Sequence, residues 1–269
     1  KDIINMKEKI LLFIPMYNCE KQIVRVLDQL KGEIQEYLSE VILINYRSTD
    51  RGEEVAIEKI KSIDFPFTIK VLRNDNNYGL GGSHKVAFNY AIKNNFDYCI
   101  CLHGDDQGNI SDLLPVLREG KHHTLDCCLG GRFFPDSKLV GYSKFRTFGN
   151  RVFNIIFSVS VGKRIYDLGA GLNLYSVASL KSYYYLKFPD NLTFNCYMLF
   201  ALSAYQQTYC FFPITWREED QISNVKMTKQ AWQTLKMALG YFFGRQKFLD
   251  REARESVFED YTSKIIYER

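Results

Sequence analysis

Residues 10 to 44, ILLFIPMYNCEKQIVRVLDQLKGEIQEYLSEVILI, decide the fold class. Ile10 to Pro15 is a short, continuous apolar run stopped by proline, the pattern of a parallel strand covered on both faces. Ile23, Val26, Leu27 and Leu30 then recur at helical spacing with charges between them, and Glu40 to Ile44 is a second apolar run. Together they make a βαβ unit. Working outward, Ser48-Thr49-Asp50 offers an N-cap to a helix through Ile60. A strand at Thr68 to Arg73, a glycine-rich turn at Gly79 to Gly82, a helix to Lys93 and a strand at Tyr98 to Leu102 follow. This alternation predicts an α/β sheet whose ligand sits outside the carboxyl ends of the strands. The polar loops Met16 to Glu20, Asn45 to Gly52, Asn74 to Ser83 and His103 to Gly108 fall there.

With 269 residues, 46% of them hydrophobic, the chain has enough apolar surface for one large core. Its 35 Lys+Arg against 31 Asp+Glu leave a net charge of +4, too small an excess to predict a nucleic-acid partner. No run approaches the roughly 18 apolar residues of a spanning helix. The seven cysteines are odd in number, form no pair of CxxC knuckles and lie mostly in apolar runs, which predicts buried thiols in a reduced, cytoplasmic protein. Metal binding by Cys99-x-Cys101 or Cys127-Cys128 is the lesser alternative. No GxxxxGK[ST] occurs, and Gly79-x-Gly81-Gly82 lacks the third spaced glycine of a dinucleotide fingerprint, so P-loop kinases and dehydrogenases are excluded. From Met227 to Phe248, aromatic residues alternate with Lys229, Lys236, Arg245 and Lys247. Such an amphipathic helix packs on the core or lies in the interface of an anionic membrane. Asp250 to Arg269 reads as a solvated helix or tail.

Asp105 and Asp106 follow a hydrophobic strand with only His103 and Gly104 between, which suits oxygen ligation of Mg²⁺ or Mn²⁺ bridging phosphates, with His103 as a nitrogen ligand. The alternative is a turn or N-cap leading to a helix over Ile110 to Leu117. Taken in order, several motifs resemble the inverting family 2 glycosyltransferases of GT-A fold. Pro15-Met16-Tyr17-Asn18-Cys19-Glu20 is similar to "P-x-Y-N-x-E", Ser48-Thr49-Asp50 to the end of "V-D-D-G-S-T-D", Asn77 to Gly82 to "N-x-G-x-G", and His103 to Gln107 to "D-A-D-x-Q". Gly130-Gly131-Arg132-Phe133 is similar to "G-S-R-F", Asp167 to Gly171 to "D-x-x-S-G", and Pro213-Ile214 with Ser223 and Lys226 to "P-I…S-K". The later motifs are most like the dolichyl-phosphate mannose synthase branch, which acts on polyprenyl phosphates.

The resemblance implies a single α/β domain with a mostly parallel central sheet over residues 1–226, its donor half about 8–129 and its acceptor half about 130–226, followed by the amphipathic segment 227–269. It implies a nucleotide-diphosphate sugar donor near Pro15, Tyr17, Asn18, Glu20, Asn45, Tyr46, Ser48, Asp50, Gly79, Gly81 and Lys85. A cation would sit on Asp105 and His103, catalysis on Asp105, Asp106, Arg132 and Asp167, and the diphosphate or acceptor near Arg217, Ser223 and Lys226. Asn45, Tyr46 and Arg47 stand where the family has Asp-Asp-Gly, and an amide at Asn45 both donates and accepts, so the base is left open and cytosine is included. Asn191 to Tyr197, the segment matching the start of the acceptor helix, has no carboxylate to serve as base, which favours an acceptor already ionised, a polyprenyl phosphate, over a sugar hydroxyl. The remaining alternative is a non-catalytic sugar-nucleotide-binding module. The expected location is peripheral, on the inner face of the cell membrane.

Overall fold

The apolar run that opens the chain becomes β1 (Ile10–Met16), buried along its whole length. The computed structural model describes residues 7–220 and 227–269. After β1 come α1 (Gln22–Asp28), α2 (Ile34–Tyr37), β2 (Leu38–Asn45), α3 (Gly52–Lys61), β3 (Thr68–Asn74), α4 (Gly79–Lys93), β4 (Tyr98–Leu102) and α5 (Leu114–Arg118). Then follow β5 (Cys127–Gly131), β6 (Lys138–Val140), α6 (Lys144–Val161), β7 (Leu172–Ser176), α7 (Val177–Leu180) and α8 (Phe194–Ala204). The chain ends with β8 (Tyr209–Pro213), β9 (Thr215–Arg217), α9 (Met227–Phe243), α10 (Arg245–Asp250) and β10 (Ser263–Glu268).

The main sheet runs β10-β3-β2-β1-β4-β7-β5-β8, and β6 pairs with β9 in a second, two-stranded sheet. β3, β2, β1 and β4 are parallel, as are β5 and β8, while β7 and β10 run against their neighbours. The domain is therefore α/β with a mostly parallel sheet. Side chains alternate across it, so β1 feeds two cores. Leu11 and Phe13 pack with α4 and α8, and Leu12 and Ile14 pack with α1, α3 and α5. α8 is apolar on all sides because it is buried on nearly all sides.

Two expectations fail here. Gly79 to Gly82 is not a turn but the first turn of α4. A Cβ at Gly79 would come within 2.5 Å of the Asp190 carbonyl oxygen, and one at Gly81 within 2.5 Å of that of Pro189, so these glycines admit another backbone segment rather than a ligand. The amides of Gly81 and Gly82 donate to the Asp190 carbonyl at 2.8 and 3.4 Å. Nor is the C-terminus a solvated helix or tail. β10 pairs antiparallel with β3, Lys264 opposite Arg73 and Ile265 opposite Leu72. An edge strand tolerates the charges that had suggested solvent.

Lys85 lies where these two corrections meet. It is fully buried, and its Nζ donates to the Phe188 carbonyl at 2.6 Å, to Asp190 Oδ1 at 2.6 Å and to the Tyr261 hydroxyl at 3.1 Å. Burial pulls its pKa down to about 8 against the opposing pull of Asp190. This ammonium pins α4 to the 188–190 segment and to the C-terminal strand's approach, and it is not placed to meet a phosphate. Lys85→Met leaves Asp190 without its cation and is expected to cost about 3 kcal/mol, read as a lower urea midpoint at unchanged slope.

Candidate functional site

The loops after β1, β2 and β4 are stitched together at the carboxyl end of the sheet. The Gly104 amide donates to the Pro15 carbonyl at 3.0 Å and the Tyr46 amide to that of Met16 at 3.2 Å. Asn18 adopts a left-handed φ of 49°, and its Oδ1 accepts from the amides of Thr49 at 2.8 Å and Asp50 at 3.4 Å. The Asn18 amide donates to Ser48 Oγ at 3.1 Å, the Glu20 amide to Asp50 Oδ2 at 2.9 Å, and the Arg51 amide to Glu20 Oε2 at 3.2 Å. Tyr17 and Tyr46 stack at 4.9 Å with 12° between ring planes. The matched residues from Pro15 to Asp50 thus converge, and much of their bonding capacity goes to each other.

Beside them opens a cleft of about 420 Å³ lined by Asn45, Arg47, Ser48, Thr49, Asp50, Glu53, Glu54 and Arg73. Asn45 Nδ2 donates to Glu53 Oε2 at 2.6 Å and its Oδ1 accepts from the Ser48 amide at 2.8 Å. Arg73 grips Glu53 with two guanidinium nitrogens, and that partner is the largest cause lowering the Glu53 pKa. Asn45 is thus committed at both ends, while Glu53 and Arg73 line the cleft wall. Neither appeared among the motif residues; their signal is a charge at the end of β3 facing one in the first turn of α3.

Of the acidic candidates, Asp106 and Asp167 are ion-paired. Asp106 has φ 58° and little exposure, and accepts from Arg25 Nε at 2.6 Å, Gln29 Nε2 at 2.8 Å and Arg217 Nη2 at 3.3 Å. Arg25 also reaches Asp220 at 2.8 Å, so α1, the loop after β4 and the end of β9 meet on one carboxylate. Asp167 accepts from the Arg132 amide at 2.8 Å, its Nε at 2.7 Å, its Nη2 at 2.7 Å and the Gly169 amide at 3.1 Å. Trp216 stacks over the Arg132 guanidinium at 5.1 Å. Arg132 and Asp167 are each other's partners, and Asp106 ties α1 to the end of β9. Asp105 precedes Asp106 in the loop after β4, its Oδ1 accepting from the Gln107 amide at 3.2 Å. Ser223 and Lys226 lie outside the described residues.

His103 packs over Gly171, where a Cβ would come within 2.7 Å of its ring. Its Nε2 is buried without a hydrogen-bond partner among the described residues. It shares a small cluster with His84 and Cys101 whose donor atoms all lie within 4.8 Å of one another. His84 Nδ1 meets the Leu80 carbonyl at 2.9 Å, and its Nε2 lies 3.4 Å from Cys101 Sγ. Burial, with Arg132 nearby, pushes the His103 imidazole down to about 4, and burial beside His103 pushes His84 down to about 3. Both rings are neutral at pH 7 and carry a lone pair. The other cysteines are buried or half-buried and free, without a shared site among the described residues.

The comparisons agree with this architecture. The sequence model of Glycosyl transferase family 2 matches residues 12–184, well over half of the chain. An uncharacterized protein of Methanocaldococcus jannaschii, MJ1222, is 24% identical over 175 residues, 65% of this chain and 68% of that one. The structure is similar to glucosyl-3-phosphoglycerate synthase from Mycobacterium tuberculosis in complex with Mn²⁺, uridine diphosphate and phosphoglyceric acid, with TM-score 0.62, 12% identity, and coverage of 97% of this chain and 89% of that one. It is also similar to S. aureus TarS in complex with UDP-GlcNAc, with TM-score 0.55, 18% identity, and coverage of 86% and 65%.

The histidine pair gives a pH dependence. Unfolded imidazoles take up protons near 6.5, whereas the folded ones refuse them until about 4 and about 3, so stability falls as pH drops below about 6.5. In metal-free buffer, urea melts at about pH 7 and about pH 5 are expected to differ by about 2 kcal/mol less in His84→Phe than in the wild type. From Asp105 after its strand to Arg132 and Asp167 across the sheet, the motifs follow one another on a GT-A-like fold, and the chain belongs to glycosyl transferase family 2 as a glycosyltransferase.

Proposed function

We propose that this glycosyltransferase moves its sugar, with inversion, to a membrane-held polyprenyl phosphate. The observation that carries the reading is the state of Asp106 and Asp167, whose oxygens are taken by Arg25, Gln29 and Arg217 and by Arg132 and Gly169. Asp167 accepts four hydrogen bonds, its full capacity, Asp106 accepts three, two of them from arginines that hold it as an ion-paired anion, and Asn191 to Tyr197 adds no carboxylate. A sugar hydroxyl has to lose a proton to become a nucleophile, whereas a phosphate monoester is already an anion at pH 7. The acceptor oxygen attacks the anomeric carbon opposite the departing nucleoside diphosphate, forming the new C–O bond as the bond to the diphosphate breaks.

On this reading residues 8–129 form the donor half, with the nucleotide over Tyr17, Tyr46 and the Asn45–Glu53–Arg73 cleft, and 130–226 the acceptor half. Asp105 is a hard oxygen donor after a strand end, which suits Mg²⁺ or Mn²⁺, with His103 two positions before it in the chain, its ring clustered with His84 and Cys101; Mn²⁺ with uridine diphosphate in the similar synthase supports the choice of cation. When bound, the cation supplies Lewis-acid neutralisation of the leaving diphosphate. Arg217, beside Asp106, stands on the diphosphate side. Among the described residues no helix is long and apolar enough to cross a membrane, which fits peripheral attachment on the cytoplasmic face.

A panel of UDP-, GDP-, CDP- and dTDP-hexoses, offered with a short-chain polyprenyl phosphate or the matching polyprenol, tests the acceptor. Transfer to the phosphate with none to the alcohol is the expected result. Comparable transfer to the alcohol, or transfer only to a glycan, would overturn it.

A further inference from the structure

α6 has a face that the core does not explain. Asn154, Phe157, Ser160 and Val161 are its buried side, with Phe157 stacked on Phe200 at 4.6 Å and Ser160 Oγ donating to the Ala238 carbonyl of α9 at 3.4 Å. Phe145, Phe148, Val152, Ile155 and Val159 recur at steps of three and four along another side, which makes one continuous stripe. Phe145 is 73% exposed, Phe148 68%, Ile155 64% and Val159 66%. A contiguous apolar stripe of this kind, unlike scattered surface residues, marks a surface built to be covered.

Its charge says what covers it. Lys144 to Val161 holds Lys144, Arg146 and Arg151 and no acidic residue, and Lys163 and Arg164 follow at once. α9, packed alongside, also lacks acidic residues; it leaves Trp232, Leu239, Phe242 and Phe243 exposed, with Lys236, Arg245 and Lys247 in and just after it. A second copy of this chain would bring like charges together, whereas an anionic lipid surface complements them. The start of α6 is also wired to the site. Asn150 Nδ2 donates to the Tyr142 hydroxyl at 2.7 Å, Arg132 Nη1 donates to the same oxygen at 3.3 Å, and Arg146 meets Glu218 at 2.5 Å.

We propose that α6 is a membrane-docking helix. Its stripe lies in the headgroup region of an anionic bilayer with Phe145 and Phe148 inserted, and the Tyr142–Arg132 link holds the acceptor side of the site at the lipid surface. The docking itself stands on this face; its use in presenting a lipid phosphate rests on the acceptor reading above.

The full chain is sedimented with vesicles of phosphatidylglycerol and phosphatidylcholine, or of phosphatidylcholine alone, beside the triple variant F145S/F148S/I155S. All three positions are exposed, so the variant is expected to keep the wild-type melting temperature. The wild type is expected to bind the anionic vesicles, more weakly at high salt, and the variant to lose about tenfold or more of that partitioning. A folded wild type that binds neither vesicle, a variant that binds as well as the wild type, or a wild-type dimer in sedimentation equilibrium that the variant dissolves would each overturn the proposal. The vesicles contain no acceptor, so docking fails or holds independently of transfer to a short-chain polyprenyl phosphate in solution.

Discussion

The site depends on two carboxylates that arginines hold in place. Asp106 gathers Arg25, Gln29 and Arg217 from α1 and from β9, and Asp167 receives the fork of Arg132 under the ring of Trp216. Removing one partner of the buried Arg132–Asp167 pair costs about 3–5 kcal/mol, because the other charge is left stranded. Asp106 also holds a left-handed backbone, so its own bonds fix the path of the loop on which Asp105 sits. Rigidity at this point fixes the position from which Asp105 leaves the loop after β4.

The two halves of the sheet meet through a different tie. The glycines that start α4 let the backbone at Pro189 and Asp190 approach, and Lys85 locks that approach from beneath while Tyr261 closes it from the C-terminal side. The start of α4 and the segment leading into α8 are thereby set relative to each other by buried bonds. On the far side, Tyr142 links Arg132 to α6, so the same framework that orders the site also orients the helix bearing the exposed apolar stripe.

Much of this was legible in the chain. β1 and β2 announce themselves because a strand buried on both faces needs an unbroken apolar run, and the loops after them carry the polar motifs in order. What stayed hidden is long-range. Arg25 and Asp106 are 81 positions apart, and no local pattern says that they pair. Gly79 to Gly82 suggested a turn because glycine disfavours helices, yet its role is to admit another backbone. β10 is short, charged and at an edge, so its alternation was masked.

The most direct test of the account is the thermal stability of the purified chain with UDP, GDP, CDP and dTDP, each with and without Mn²⁺, in the wild type and in Asp105→Ala. A ligand that binds only the folded state raises its stability by mass action. The account predicts that one nucleotide raises the melting temperature in a Mn²⁺-dependent way and that Asp105→Ala abolishes the metal-dependent part. A metal-dependent shift of the same size in Asp105→Ala, or no shift with any nucleotide in folded wild-type protein, would contradict it.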